Sequence, residues 1–74
     1  MQETIQLLDV VALTVDLPEY GLRRGQVGTV VEVLAEGKAY EVEFCDSMGR
    51  TYESLALRPD QLMVLHYEPL SATA

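Results

Sequence analysis

The stretch GLRRGQVG, Gly21 to Gly28, sets three glycines around the chain's one pair of adjacent basic residues, Arg23 and Arg24. A loop that cradles phosphate has a composition of this kind. It needs backbone N–H groups that open toward a helix N-terminus, with a lysine, serine or threonine close by. After Gly28 the chain runs TVVEV, a β-branched segment that favours a strand over a helix. The spacing is also wrong for a dinucleotide fingerprint. The glycines are therefore expected to shape backbone: Gly21 and Gly25 in a loop, Gly28 where a strand bends or is approached closely. Arg23 and Arg24 are expected to be solvated, to pair with the acidic surface, or to grip an acidic patch on a partner.

The other residue types that do chemistry are sparse. Cys45 and His66 are the sole cysteine and histidine. A zinc site needs three or four ligands at workable spacing. A nucleophile pair needs an orienting third group. Neither follows from these two residues, so Cys45 is read as a small buried side chain and His66 as an edge-strand residue. Glu41 and Glu43 share one strand face, with Glu32 or Glu53 as candidates to sit across from them. Carboxylate pairs run acid–base chemistry when a cleft drives their pKa values apart. Alternation puts this pair on a wet face, which suits a partner-binding surface better. Of the tyrosines, Tyr40 alternates into the core, and Tyr20 and Tyr52 are loop or edge candidates for partner contact. No catalytic, cofactor-binding or metal-binding residue is expected.

The charge narrows the class of partner. Five basic residues face twelve acidic ones, for a net charge of −7. Nucleic acid and anionic membrane surfaces are bound through lysine and arginine. Both are disfavoured, and a basic protein partner is compatible. No apolar stretch has the length of a membrane helix. MQETIQLLDV, the start of the chain, carries no basic region and no small-residue cleavage pattern. A single cysteine cannot staple the domain, which points to a reducing compartment. The expected setting is cytoplasmic.

The elements that must position these residues are short. Val10 to Val15 reads as a bent strand, preceded at Ile5–Leu8 by a lead-in strand or one helical turn. Pro18 and Gly21 bracket a loop. GQVGTVVEVL reads as the next strand, with Val27, Thr29, Val31 and Val33 on one face and Gly28, Val30, Glu32 and Leu34 on the other. AEGK is a hairpin loop with Gly37 at positive φ. Tyr40, Val42 and Phe44 alternate with Glu41 and Glu43, the mark of a half-buried antiparallel strand. DSMGR is a turn started by Asp46, with Gly49 at its awkward dihedral. TYESLALR is a weaker strand, RPDQL one 3-10 or helical turn, and MVLHY a last strand. About five antiparallel strands with tight turns fit an all-β fold, a small SH3-like barrel, whose curling reduces exposed edges. Residues 1–70 read as one domain and 71–74 as a flexible tail.

Five pieces in order carry a family likeness: LLDVVAL (7–13), GLRRGQVGTVVE (21–32), YEVEF (40–44), DSMGRTY (46–52) and LRPDQL (57–62). Together they resemble the bacterial domain of unknown function DUF4926, over roughly Ile5 to Leu65. The resemblance implies a compact SH3-like barrel. It carries no chemistry onto any residue. It also implies the small member of a two-gene pair, of antitoxin or immunity type. RGQVGTVVEV with YEVEF is similar, more widely, to the glycine-centred turn of barrels in ribosomal and transcription proteins. Those are basic, and this chain is acidic.

The function expected is therefore a non-enzymatic protein-interaction module that needs no cofactor. Its expected surface is an acidic rim with Tyr20, Arg23, Arg24, Glu41, Glu43 and Tyr52, and an open strand edge that can add to a partner. A homo-oligomerising barrel, in its simplest form a homodimer, is the alternative. A nucleic-acid-binding module is the least favoured.

Overall fold

A computed structural model describes residues 4–70. Its five strands, in chain order, are β1 (Val10–Leu13), β2 (Val27–Leu34), β3 (Ala39–Cys45), β4 (Thr51–Leu57) and β5 (Leu62–Val64). They form one antiparallel sheet in the order β4-β3-β2-β1-β5. β2 to β4 make a meander. The chain then passes through a 3-10 turn and returns to the far side of β1. This is an all-β arrangement, compatible with the SH3-like barrel expected from the sequence. β4 and β5 do not pair, so the sheet stays open between its two edges.

The core lies where alternation aims it. Val11 and Leu13 of β1, Val30 of β2, and Val42 and Phe44 of β3 are the largest fully buried side chains. Each contributes about 1.5–3 kcal/mol by leaving water. Ile5, Leu17, Leu22, Tyr40, Leu57 and Leu62 complete the cluster.

Alternation fails inside β2. Val30 pairs with Val42, but Glu32 pairs with Glu41, which leaves Val31 as the extra residue of a bulge. Gly28 and Val30 face the core before the bulge. Beyond it, Val33 lies opposite Tyr40, and Glu32 shares the face of Glu41. The expectation of one unbroken face through Val27, Thr29, Val31 and Val33 is corrected by that single inserted residue, which bends the strand and tightens its twist.

Other boundaries shift for local reasons. β1 stops at Leu13, because the Thr14 N–H donates to the Gln61 carbonyl at 2.9 Å and the Thr14 hydroxyl donates to the Asp60 carbonyl at 3.0 Å. Ile5–Leu8 is neither strand nor helix. It leads into a turn in which the Asp9 N–H donates to the Gln6 carbonyl, and Leu8 takes a φ of 72°. β5 ends at Val64, and His66 and Tyr67 lie beyond it, exposed. One short 3-10 turn was expected before the last strand, and it spans Pro59–Gln61. Two more occur, at Pro18–Tyr20 and Ala35–Gly37. Proline supplies the first helical φ in two of the three. In the third, Ala35 and Glu36 join Gly37 at positive φ, where Gly37 alone was expected.

Cys45 is exposed, not buried. It comes after Phe44 at the end of β3, so alternation turns it to the outer face, where its sulfur lies 3.5 Å from the Thr51 hydroxyl. The tail expected at 71–74 lies outside the described residues.

Candidate functional site

The connection from β1 to β2 folds on itself before it reaches the sheet. Leu17 and Leu22 exchange backbone hydrogen bonds at 2.9 and 3.1 Å, and both side chains are buried. Between them runs the Pro18–Tyr20 turn. Gly21 closes it at a φ of 71°, its N–H donating to the Pro18 carbonyl. A left-handed closure of this kind is a glycine position. The two leucines anchor the base of the loop, and Tyr20 is held at its tip with 49% of its surface exposed.

Tyr20 stands over a cleft of about 270 Å³. The end of β4 and the turn after it also line it, through Leu55, Ala56, Leu57, Arg58 and Gln61. Leu17 lies beside Tyr20 in the same lining. Arg58 and Gln61 are held in place. The Arg58 N–H donates to Gln61 Oε1 at 2.8 Å, and Arg58 Nε donates to Asp60 Oδ1 at 3.0 Å. The cleft is mixed in character: Leu17, Tyr20, Leu55 and Leu57 supply apolar surface, and Glu19, Arg58 and Gln61 supply polar and charged surface.

Arg23 and Arg24 enter the geometry through their backbone. The Arg23 N–H donates to Gln26 Oε1 at 2.6 Å, and the Arg24 N–H donates to Asp16 Oδ1 at 2.8 Å. Gly25, at a φ of 95°, donates its N–H to the Leu13 carbonyl. This ties the loop back onto β1. Asp46–Arg50 and Arg58–Asp60 are ion pairs, and among the described residues neither Arg23 nor Arg24 takes part in one. Gln26 reaches further and donates from Nε2 to the Tyr52 hydroxyl at 3.0 Å. Tyr52 is the extra residue of a second bulge, between the pairs Phe44–Glu53 and Cys45–Thr51. Its ring packs 6.4 Å from that of Phe44, and 47% of its surface is exposed.

Glu41 and Glu43 lie on the outer face of β3, half-buried. Glu41 has Glu32 opposite it on β2 and Ala56 on β4, while Glu43 has Thr29 and Ser54. The Ser54 hydroxyl donates to Glu41 Oε2 at 2.7 Å. Of the two carboxylates suggested as cross-strand neighbours, Glu32 joins this face. Glu53 sits opposite Phe44 and points to the other one.

The glycines divide into two kinds. Gly21, Gly25, Gly37 and Gly49 have positive φ and lie in loops or turns. Gly28 does not. A β-carbon there would stand 2.7 Å from Val42 Cγ1 and 2.9 Å from the Glu43 carbonyl oxygen. Its role is close strand approach.

The structure thus separates the sequence candidates. Tyr20 belongs to the cleft, and Glu41 with Glu43 to the outer face of the sheet. Tyr52 lies at the start of β4. Arg23 and Arg24 lie in the loop before β2. Leu55, Leu57, Arg58 and Gln61 were not singled out from sequence. The one available signal was the alternation of Leu55 and Leu57 in a strand that read as weak. Among the described residues no three histidine, cysteine, aspartate or glutamate side chains come together to hold a metal. No described helix is long and apolar enough to cross a membrane.

No curated protein and no solved structure matches the chain. The model of one family does, the domain of unknown function DUF4926, over residues 7–64. That match runs from the turn before β1 to the end of β5 and takes in every strand. The chain belongs to the DUF4926 family.

Proposed function

We propose that this domain is a non-catalytic protein-interaction module that docks a basic protein in the cytoplasm. The observation that carries the reading is Tyr20, half-exposed on an anchored loop and lining a cleft of mixed apolar and polar character with Leu55 and Leu57 of the edge strand. A preformed tyrosine, with an apolar ring and a polar tip, is a frequent anchor in protein interfaces. The net charge of −7 selects a basic partner and speeds its encounter. The counterpart in a two-gene pair, of antitoxin or immunity type, is the form such a partner would take.

The test is to cross-link the chain in native lysate, identify the partner and measure binding between the two purified proteins. Tyr20→Ala is expected to weaken that binding by roughly 30-fold, the loss of one aromatic hot spot. Its melting temperature should stay close to that of the parent, since the tip of the loop is not core. A partner bound equally by Tyr20→Ala, or no purified protein that binds saturably, defeats the reading.

A further inference from the structure

We propose that the C-terminal half of β4, Ser54 to Leu57, is the docking edge, and that its occupant is an extended partner segment in which basic and apolar residues alternate. This rests on the interaction reading and specifies its site and its ligand.

The first observation is the edge itself. β4 ends the sheet, and among the described residues it makes backbone hydrogen bonds to no strand but β3. Proteins blunt such edges with bulges, inward-pointing charges, prolines or lysines. The first half of β4 is blunted in this way, by the bulge at Tyr52 and by Glu53. From Ser54 to Leu57 none of these devices occurs. β5, at the other edge, has only three residues.

The second observation is the chemistry on either side of that half-strand. On the inner side Leu55 and Leu57 open into the cleft under Tyr20. Ser54 and Ala56 are small and exposed, Ala56 also reaching the rim of the cleft, and directly across from them on the sheet stand Glu43 and Glu41. A strand added to β4 would lie two strand spacings from β3, about 10 Å. Lysine and arginine stems are long enough to cross Ser54 and Ala56 and bring their charged ends to those carboxylates. Side chains of one strand alternate between faces. Outward residues of the segment would therefore be basic, and the inward residue between them would drop an apolar side chain toward Leu55 and Tyr20. Main-chain hydrogen bonds supply affinity in strand addition, and the alternate side chains supply specificity. A second copy of this chain fits poorly, because it brings its own charge of −7 to the same edge.

The test uses the full chain, isotopically labelled, and a capped heptapeptide of alternating lysine and valine. A peptide with the same residues in two blocks serves as control. The alternating peptide is expected to bind saturably, to shift the amides of Thr51–Leu57 and to slow their hydrogen exchange. The paired change Glu41→Gln with Glu43→Gln should weaken it about tenfold at low salt. Ser54→Lys, at an exposed position, gives up the Ser54–Glu41 hydrogen bond and should weaken it similarly by placing a fixed charge beside the same carboxylates, with circular dichroism checking that the fold is kept. Equal binding of the block peptide, shifts on β3 with β4 unmoved, or no saturable binding overturns the proposal. If the peptide fails while a purified partner still depends on Tyr20, the edge proposal falls and the interaction reading stands.

Discussion

Gly28→Ala tests the packing on which the whole sheet rests. An alanine β-carbon at this position would lie 2.7 Å from Val42 Cγ1, 2.9 Å from the Glu43 carbonyl oxygen and 3.0 Å from Phe44 Cδ1. The second of these atoms is backbone, held in the β2–β3 ladder. The other two belong to side chains with no exposed surface. None can yield cheaply. Overpacking of this kind costs about 1–3 kcal/mol, while alanine recovers roughly 0.4–1 kcal/mol by restricting the unfolded chain. The net loss should be about 1.3 kcal/mol, a sizeable share of a small domain's stability. In a chain of this length each kcal/mol lowers the melting temperature by about 4–8 °C, so a fall of about 5–10 °C is expected. Thermal and urea unfolding tracked by circular dichroism would read it. Val42→Ala removes the closest contact and leaves the carbonyl one. Combined with Gly28→Ala it should show a favourable coupling of about 1 kcal/mol, with rescue incomplete. Gly21→Ala is the comparison. No atom lies within 4 Å of a β-carbon there, and the φ of 71° alone is at stake. Its cost should be about 1 kcal/mol, with no coupling to Val42. A Gly28→Ala protein within about 0.5 kcal/mol of the parent would refute the close-approach argument.

The pairing of the strands sets two more outcomes. Glu32 and Glu41 are directly opposite each other across β2 and β3, and like charges so placed destabilise. Glu32→Lys should raise stability by about 0.5–1 kcal/mol, with the gain shrinking at high salt in chemical denaturation; a destabilised variant would show that the register argument is wrong. Tyr52→Phe removes the acceptor for Gln26 Nε2 but keeps the ring on Phe44. It should cost about 0.5–1.5 kcal/mol, and a loss of several kcal/mol would contradict the exposed geometry of that bond.

Much of the fold was legible because local rules agree. Tyr40, Val42 and Phe44 alternate with two glutamates, and β3 forms there with those three buried. Pro59 announces the turn before the last strand, and Gly49 takes the positive φ that the Asp46 turn needs. The acidic face of Glu41 and Glu43 was readable by the same period of two. Where a residue's environment depends on one inserted position, the period misleads. The bulge at Val31 exchanges the faces of β2, and nothing in GTVVEV marks which valine is the extra one. The small apolar character of Cys45 favours burial, but its place after Phe44 in the strand puts it outside.

By itself, then, the sequence determined the strand content, the turns and the sign of the charge, since each is set by neighbours within a few residues. The cleft was beyond it. Tyr20 and Leu55 are far apart in the chain and become neighbours only because β4 lies at an open edge and the loop from β1 folds back beside it. The same holds for the pairing of small Ser54 and Ala56 with Glu43 and Glu41, which is a matter of register between strands. Register is a long-range quantity, fixed when the cores of the strands pack, and no local pattern carries it.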